Sequence, residues 1–435
     1  MFQPELESMA RNELEDLQLQ RLQALLRRVY DSVPLYRQKF DDAGFDPSSV
    51  ASLSDLTRVP FTVKDDLRSA YPYGMFAVPL RDIVRVHSSS GTTGQITVVG
   101  YTRGDIDRWS DLMARTYASA GLTADDVVQV TYGYGLFTGG LGAHYGSERL
   151  GALTIPVSGG NTKRQVQILK DFAVTALACT PSYALLIAET AVELGLDPRE
   201  LPLRVGVFGA EPWSESMRDQ IENALGIKAI DIYGLSEVMG PGVASECTEQ
   251  HGLHVFEDHF LVEVVDPASF EPVADGEYGE VVFTTLTKEG IPVIRYRTRD
   301  ISRIIPGRCA CGRTFRRIER VTGRTDDMLI IRGVNVFPSQ IEQVLGGVEG
   351  VAPHYQVILS KRGVLDHVEV HVEVAPEFGF DEVRELERLQ HRVKTAIESA
   401  LAVSIAVKLV EPKSIARSEG KAKRVVDLRS EQKGA

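Results

Sequence analysis

Between residues 82 and 232 the chain alternates short apolar runs with longer amphipathic segments. The apolar runs predict buried strands at Val127–Tyr132, Ala152–Val157, Ala176–Thr180, Val205–Gly209 and Ala229–Tyr233. The amphipathic segments predict helices at Asp105–Ala120, Lys163–Asp171, Ser182–Leu194 and Ser214–Leu225. Strands that alternate with helices in this way predict an α/β layered domain.

Glycines gather in the predicted loops that leave these strands. They are Gly133, Gly135, Gly139, Gly140, Gly142, Gly159, Gly160, Gly209, Gly234, Gly240 and Gly242. In α/β folds ligands bind at the carboxyl ends of the strands, where a glycine backbone can approach them closely. Tight turns would also require glycine, so this pattern indicates a binding edge without proving it.

The segments on either side of this region have different patterns. At the N-terminal end, Leu22, Leu25, Leu26 and Val29 recur with helical spacing and predict an amphipathic helix packed on the body. A β-rich subdomain is predicted from the strand-like runs Leu261–Val265, Gly279–Thr285 and Val293–Arg295.

The C-terminal part of the chain predicts a small α+β domain. Its predicted elements are a helix from Pro338, an alternating strand at Val368–Val374, a helix at Asp381–Leu401 and a strand at Ile405–Val410. The stretch Gly323–Asp327 before it is interpreted as a hinge. We therefore predict an N-terminal domain of residues 1–325 and a C-terminal lid of residues 326–435.

Composition narrows the class of protein. With 48 basic and 60 acidic side chains the net charge is −12, which argues against binding to nucleic acid or to an anionic membrane by bulk charge. No stretch approaches the ~18 consecutive apolar residues of a membrane span, and the N-terminus has no export-signal pattern. Four cysteines are too few for a disulfide framework. We expect a cytoplasmic enzyme.

The segment Ser88–Gln95, with the sequence SSSGTTGQ, is the first candidate site. It combines hydroxyl groups with unhindered backbone N–H groups, a combination that binds phosphate oxygens. It lacks the Lys-Ser/Thr pair of the P-loop in NTPases. A plain hairpin turn has a similar composition, so this segment alone does not decide.

Three further segments carry charged candidates. Asp231–Glu237 runs from a predicted strand into a glycine-containing turn, where the Glu237 carboxylate suits Mg²⁺ beside a phosphate site. Asp300, at the end of Tyr296–Asp300, could accept hydrogen bonds from two ribose hydroxyls. Lys421 lies in a basic C-terminal segment. Each segment also fits ordinary surface charge.

Together and in this order, these segments resemble the adenylate-forming superfamily of acyl- and aryl-CoA synthetases, and within it the phenylacetate–CoA ligases. The resemblance covers nearly the whole chain and extends to Tyr132–Gly140, Phe208–Trp213, Tyr233–Cys247 and Gly323–Ile341. It implies a large α/β domain with a mobile lid, and a reaction in two steps. An acid and ATP first give acyl-AMP and pyrophosphate, and coenzyme A then displaces AMP.

The resemblance also implies roles for individual residues. ATP and AMP would be bound by Ser89, Ser90, Gly91, Thr92, Thr93, Gly94, Gly209, Ala210, Glu211, Asp231, Tyr233, Gly234, Ser236, Asp300 and Arg324. Glu237 would hold Mg²⁺, Lys421 would be the catalytic lysine, Asp326 the hinge residue, and Gly333 part of the coenzyme A tunnel. One departure is Gln95, which stands where the family usually has a lysine and so removes a charge from the phosphate loop.

The resemblance places an aromatic-acid pocket at Tyr132, Phe137, Ala210 and Pro241. Such a flat apolar slot would suit an aromatic ring whose carboxylate faces the nucleotide. Alternatively, Tyr132 and Phe137 simply fill the core. Phenylacetate is the expected substrate, and hydroxylated or shorter relatives of it differ too little for the sequence to separate them.

The cysteines suggest a zinc site. Cys309 and Cys311 lie on one predicted loop, and Cys247 precedes His251 and His254 on another. Three thiolates and one imidazole would complete a tetrahedral structural site. We favour His254 over His251 because His254 begins a segment with an ordered pattern. Alternatively all four cysteines are reduced and bind nothing, as we expect for Cys179, a small core residue.

Two other functions share much of this pattern. An adenylating enzyme that loads the thiol of a carrier protein would keep the first half-reaction. A zinc-bound scaffold without catalysis would have no reason to keep Lys421, Glu237 and Asp300, which are all present. Since relatives are often dimers, a homodimer is also expected.

Overall fold

The structure is a computed structural model, and it describes residues 1–89, 96–321, 323–331, 334–362, 365–378, 383–401, 403–418 and 420–429. The α-helices are α1 (Pro4–Glu7), α2 (Arg11–Ser32), α3 (Pro34–Asp42), α4 (Lys64–Ser69), α5 (Arg103–Ser119), α6 (Thr138–Leu150), α7 (Thr162–Asp171), α8 (Pro181–Glu193), α9 (Glu215–Leu225), α10 (Pro338–Gly346) and α11 (Val383–Leu401). The first strands are β1 (Ile83–Ser89), β2 (Thr97–Thr102), β3 (Val127–Val130), β4 (Leu153–Pro156), β5 (Ala176–Cys179), β6 (Val205–Phe208), β7 (Lys228–Leu235), β8 (Gly240–Ser245), β9 (Leu253–Val255), β10 (Phe260–Val265) and β11 (Gly279–Thr285). The remaining strands are β12 (Tyr296–Ser302), β13 (Ile304–Ile305), β14 (Arg317–Ile318), β15 (Gly323–Arg324), β16 (Leu329–Ile331), β17 (Val334–Val336), β18 (Val351–Arg362), β19 (Leu365–Val374), β20 (Ala406–Val410) and β21 (Val425–Asp427).

A mixed central sheet organises the large domain, in the order β13-β14-β9-β8-β7-β6-β5-β3-β4. Strands β3 to β7 pair in parallel, and the half formed by β8, β9, β13 and β14 is antiparallel. All residues of β5 and β6 are buried, as expected for parallel strands covered on both faces. The five strands and four helices predicted for this region are confirmed, with ends shifted by a few residues. The burial predicted for the strand at Ala152–Val157 is wrong, because β4 is an edge strand whose Leu153 and Pro156 are exposed.

The loop predicted at Gly139, Gly140 and Gly142 is wrong, because these glycines lie in helix α6. They serve close packing of α6 against its neighbours. A Cβ on Gly142 would lie 2.5 Å from Cζ2 of Trp109 on α5, and one on Gly146 would lie 2.2 Å from Cβ of Met113. Glycine lowers intrinsic helix propensity, but tertiary packing overrides that preference here.

Other glycines that were predicted to lie in loops belong to strands. Gly234 is in β7, and Gly240 and Gly242 are in β8. A Cβ on Gly234 would lie 2.0 Å from the Gly240 carbonyl oxygen, so the close approach of these two strands requires glycine.

The strand predicted at Val293–Arg295 is also wrong: Arg295 has a φ of 44°, outside the extended region, and β12 begins at the next residue.

The N-terminal helix forms as predicted, and the β-rich subdomain contains two of its three predicted strands, as β10 and β11. Leu22, Leu25, Leu26 and Val29 are buried on one side of α2. The subdomain is a sheet in the order β10-β11-β12-β15, in which Asp300 of β12 lies directly opposite Arg324 of β15.

The C-terminal region has a sheet in the order β20-β19-β18-β21, accompanied by α10 and α11. Its hydrophobic core begins at Ile331, whereas the large cluster of the N-terminal region ends at Ile318. The predicted boundary at residues 325 and 326 lies between these cores and stays a prediction. Among the described residues, no helix is long and apolar enough to cross a membrane.

Candidate active site

The described part of the predicted phosphate loop meets Glu237. Ser88 and Ser89 end β1, whereas Ser90, Gly91, Thr92, Thr93 and Gly94 lie outside the described residues, as does Gly333. The hydroxyl of Ser89 is hydrogen-bonded to that of Thr97 on β2. Thr97 Oγ1 in turn donates to Glu237 Oε1 at 3.3 Å. The end of β1 and the start of β2 therefore lie against the buried Glu237 carboxylate, which is far from them in the sequence.

A lysine that the sequence analysis did not single out also faces this carboxylate. Lys64 Nζ, at the start of α4, lies 3.3 Å from Glu237 Oε1. The preceding chain is fixed against the start of β12, because Thr62 N donates to Arg295 O and Arg297 N donates to Thr62 O. Lys64 thus supplies a positive charge beside Glu237, whereas Gln95, which stands where the family usually has a lysine, lies outside the described residues. A single lysine at a helix start carries no motif that could have revealed it.

The predicted ribose-binding residues lie together. Tyr233 Oη donates to Asp300 Oδ2 at 2.5 Å, and Arg324 Nη1 lies 3.9 Å from Asp300 Oδ1. Burial raises the pKa of Asp300 to about 6, and the nearby Arg324 guanidinium and the Tyr233 hydrogen bond oppose that rise. Arg324 also makes two hydrogen bonds to the carboxylate of Asp326, the predicted hinge residue, at 2.9 and 3.1 Å. Arg324 therefore lies close to both Asp300, a predicted ribose-binding residue, and Asp326, the predicted hinge residue.

The predicted nucleotide-binding loops follow β6 and β7. A Cβ on Gly209 would lie 2.5 Å from the Ile232 carbonyl oxygen, so a side chain cannot fit there. Ser236 Oγ lies 3.2 Å from Thr138 Oγ1. The Asp231 carboxylate is buried, with Oδ2 3.2 Å from Arg320 Nε. Burial and the nearby Glu246 raise its pKa well above the ordinary value.

Lys421 reaches this site from the C-terminal region. Its Nζ lies 5.7 Å from the centre of the Phe137 ring. Burial lowers the pKa of Lys421, while the carboxylates of Glu211, Glu237 and Asp300 act to raise it. The lysine is therefore in the electrostatic field of the predicted nucleotide-binding and Mg²⁺-binding groups.

The predicted aryl-pocket residues differ in burial. Tyr132 is buried in the large core cluster, with Oη 3.5 Å from the Val207 carbonyl oxygen. Phe137 and Ala210 are only partly buried at the margin of that cluster. Pro241 is partly exposed and accepts a hydrogen bond from Trp109 Nε1 at its carbonyl oxygen. Phe137 therefore lies near Lys421, whereas Tyr132 is part of the buried core.

The structure brings Cys247, His254, Cys309 and Cys311 together, with the four ligand atoms within 4.8 Å of one another. Cys247 Sγ lies 3.6 Å from Cys309 Sγ, and Cys311 Sγ lies 3.4 Å from His254 Nε2. A tetrahedral zinc site with Zn–S bonds of about 2.3 Å places its sulfurs about 3.8 Å apart. The separation of Cys247 Sγ and Cys309 Sγ is close to that value. His254, which was predicted to lie in a loop, belongs to strand β9. Cys179 is buried elsewhere, in the strand β5.

The predicted catalytic lysine accompanies one core and the predicted nucleotide-binding groups accompany the other, as the resemblance to adenylate-forming enzymes implies. Residues 23–286 match the family described as AMP-binding enzyme, and residues 333–429 match the AMP-binding enzyme C-terminal domain. The chain is 54% identical over 429 residues to the phenylacetate-coenzyme A ligase of Escherichia coli (strain K12), covering 98% of this chain and 97% of that protein. It is 49% identical over 443 residues to the phenylacetate-coenzyme A ligase of Thermus thermophilus, covering 99% and 100%. The chain belongs to the phenylacetate–CoA ligase family.

Solved structures with this fold include one ligase in two catalytic states. Comparison with each state indicates how the two domains of this chain are arranged. The chain superimposes on 2-hydroxyisobutyryl-CoA ligase in the postadenylation state, in complex with 2-HIB-AMP, with a TM-score of 0.93 at 32% identity, covering 99% and 93% of the two chains. For the same ligase in the thioesterification state the TM-score is 0.72 at 33% identity, covering 99% and 94%. The domains of this chain therefore lie nearer to the postadenylation arrangement.

Proposed function

We propose that this AMP-forming acid–thiol ligase is an ATP-dependent phenylacetate–CoA ligase. It would convert phenylacetate and ATP to phenylacetyl-AMP and pyrophosphate, and then transfer the acyl group to coenzyme A with release of AMP. The observation that carries the proposal is the Lys421 ammonium, which lies beside Phe137 and in the field of Glu237 and Asp300. The family relatives, which are named phenylacetate-coenzyme A ligases, support the choice of acid.

In the first step an oxygen of the substrate carboxylate attacks the α-phosphorus, and pyrophosphate leaves. The Lys421 ammonium would hold the carboxylate and the α-phosphate together while negative charge shifts between them, and the loss of such a fixed charge typically costs about 10²–10³ in rate. Asp300 and Arg324 would orient the ribose, and Gly209, Ala210, Asp231, Tyr233, Gly234 and Ser236 would surround the rest of the nucleotide.

Glu237 is the residue that would hold Mg²⁺. Its carboxylate is buried, accepts a hydrogen bond from Thr97 at the start of β2, and lies 3.3 Å from the Lys64 ammonium. The ion would neutralise charge on the phosphates of ATP. The chain itself contributes the hydroxyls of Ser89 and Thr97 and the Lys64 ammonium around that carboxylate.

In the second step the thiol of coenzyme A attacks the acyl carbonyl, and AMP leaves. Lys421 would occupy the approach to that carbonyl, so the C-terminal region would have to turn away about Asp326 before the thiol could enter. Gly333 would then line the pantetheine tunnel. The alternative acceptor, the thiol of a carrier protein, would use the same first step.

The four-residue cysteine–histidine cluster is proposed to hold a structural zinc ion. Its ligands come from the loop after β8, from His254 of strand β9 and from the loop before β14, and a site with four protein ligands leaves no open position for catalysis. The ion would tie β9 and the loop after β8 to the loop before β14. A homodimer and a cytoplasmic location stay predictions, which light scattering and cell fractionation test.

The test of the proposed function is AMP release with ATP, Mg²⁺ and coenzyme A over a panel of aryl acids. We expect phenylacetate to give the highest kcat/KM among them and phenylacetyl-CoA to form in step with AMP. AMP release that requires a carrier protein instead of free coenzyme A would favour the alternative acceptor.

A further inference from the structure

The N-terminal region holds the backbone on both sides of Lys421. The Gly420 carbonyl oxygen accepts a hydrogen bond from Thr180 Oγ1 at 3.0 Å. The Ala422 backbone N–H donates to Glu211 Oε2 at 2.8 Å. Thr180 follows β5 and Glu211 follows β6, and these two strands are parallel neighbours. The adjacent strand ends therefore clamp the three residues centred on the catalytic lysine.

Glu211 is itself fixed in place by the N-terminal region. Its Oε1 accepts a hydrogen bond from Ser182 N at 2.8 Å and lies 2.5 Å from Ser182 Oγ. The preceding residue, Ala210, has a φ of 72°, which is uncommon for a residue other than glycine. Such conformations persist only where the surroundings hold them, and they cluster at functional sites. Glu211 is thus a preorganised acceptor that points one oxygen at the C-terminal region.

We propose that Glu211 is a positioning residue for the adenylation step, acting as a latch that holds the Ala422 N–H only while Lys421 is in the active site. This inference rests on the proposed function, since it assigns Lys421 to the first half-reaction. It differs from the adenine-contacting role that the family resemblance implies, because both carboxylate oxygens are engaged by Ser182 and Ala422. When the C-terminal region turns for the second step, the bond to Ala422 has to break.

Other contacts join the two regions without touching the lysine backbone. Glu189 Oε1 of α8 lies 2.7 Å from His354 Nε2, and Ser214 N donates to Glu342 Oε1 at 3.0 Å. Glu193, at the end of α8, pairs with Lys413 at an exposed margin of the same interface. An exposed pair of this kind contributes little to stability. It offers a matched control for a substitution at Glu211.

The test is Glu211→Gln, assayed in the two half-reactions separately. An amide cannot accept from Ser182 N and Ala422 N at both ends, because its NH₂ group only donates. We expect the rate constant for pyrophosphate release to fall about 10- to 100-fold, as for the loss of a hydrogen bond to a charged group, with the KM for ATP unchanged within about 2-fold. Thioester formation from supplied phenylacetyl-AMP should keep its wild-type rate.

Two control variants complete the test. Glu193→Gln makes the same chemical change at the exposed margin and should leave both half-reactions unchanged. Ser182→Ala removes a hydroxyl that lies 2.5 Å from Glu211 Oε1 and 3.2 Å from the Gly420 carbonyl oxygen. It keeps the Ser182 N–H bond to Glu211 and the Thr180 bond to Gly420, so the loss in the first half-reaction should be smaller than that of Glu211→Gln.

Two results would overturn the latch: a raised KM for ATP with an unchanged adenylation rate, or equal losses in both half-reactions. Hydrogen–deuterium exchange at the Ala422 amide separates this failure from a failure of the proposed function, since it needs no substrate. We expect faster exchange in Glu211→Gln than in the wild type and in Glu193→Gln. Equal exchange in all three proteins would contradict the latch even if phenylacetate proves to be a substrate.

Discussion

At the scale of single residues, the site combines groups whose charge states depend on burial. Asp300 is the clearest example, because burial raises its pKa to about 6 against the effects of Arg324 and Tyr233. A carboxylate has to be ionised to accept two hydrogen bonds from ribose hydroxyls. The protonated form, which exists below about pH 6, donates one hydrogen and so loses that arrangement.

We therefore predict that nucleotide affinity falls as the pH drops through about 6. The sign follows from the raised pKa: above it Asp300 is ionised and competent, and below it the proton remains on the carboxyl. Calorimetric titration with AMP from about pH 5 to about pH 8 measures the effect. The Asp300→Asn variant should bind AMP more weakly than the wild type, and its affinity should lack the pH dependence that Asp300 contributes. An identical pH dependence in the wild type and the variant would contradict the assignment of Asp300.

Lys64 is a residue that the sequence alone did not reveal. Its ammonium lies 3.3 Å from Glu237 and adds a cation next to the expected position of the ATP phosphates. We predict that Lys64→Met raises the KM for ATP about 10-fold, the cost of losing one charge-assisted contact. Steady-state kinetics against Lys170→Met, an exposed lysine of α7, provide the control. An unchanged KM for ATP would show that Lys64 serves only to pair with Glu237.

At the scale of elements, helix α6 depends on its glycines for close contact with α5. A Cβ on Gly142 would lie 2.5 Å from Trp109 and 2.8 Å from Pro241, a predicted aryl-pocket residue. We predict that Gly142→Ala lowers the free energy of unfolding by about 1–3 kcal/mol through overpacking. Gly133→Ala is the control, since a Cβ there meets nothing within 4 Å. Equal free energies of unfolding for Gly142→Ala and Gly133→Ala in urea denaturation would contradict the predicted overpacking at Gly142.

Strand β9 and the two loops that carry the cysteine–histidine cluster give a second prediction at this scale. We expect the purified protein to hold about one zinc ion per chain by elemental analysis. Cys309→Ser should lose the ion and lower the melting temperature, whereas Cys179→Ala should keep the ion because Cys179 is buried in β5. Wild-type protein that is metal-free and still fully stable would refute the zinc assignment.

The sequence predicted these elements to different degrees. The parallel strands β5 and β6 were predictable because their residues are buried on both faces and so form continuous apolar runs. The glycines of α6 and β8 were ambiguous, since a glycine that permits close packing looks the same in sequence as one that permits a turn. The contacts of Glu211 with Ser182 and Ala422 could not be predicted, because they depend on how two separate cores dock.

At the scale of the whole molecule, we propose that the two half-reactions use two different arrangements of the same two domains. The structure lies near the postadenylation arrangement, with Lys421 beside Phe137 and Asp326 bound to Arg324. We predict that Lys421→Ala blocks acyl-AMP formation but largely spares thioester formation from supplied acyl-AMP. Asp326→Pro should do the reverse, since proline fixes the backbone at the proposed hinge. Separate assays of the two half-reactions measure both effects, and equal losses in both would contradict the division of labour.

The most direct test of the central claim is the reaction of the wild-type protein with ATP, Mg²⁺, phenylacetate and free coenzyme A. We expect AMP and phenylacetyl-CoA to form in equal amounts, and pyrophosphate release to depend on phenylacetate. If no aryl acid supports AMP release, or if AMP forms without a coenzyme A thioester, the claim that this protein is a phenylacetate–CoA ligase is contradicted.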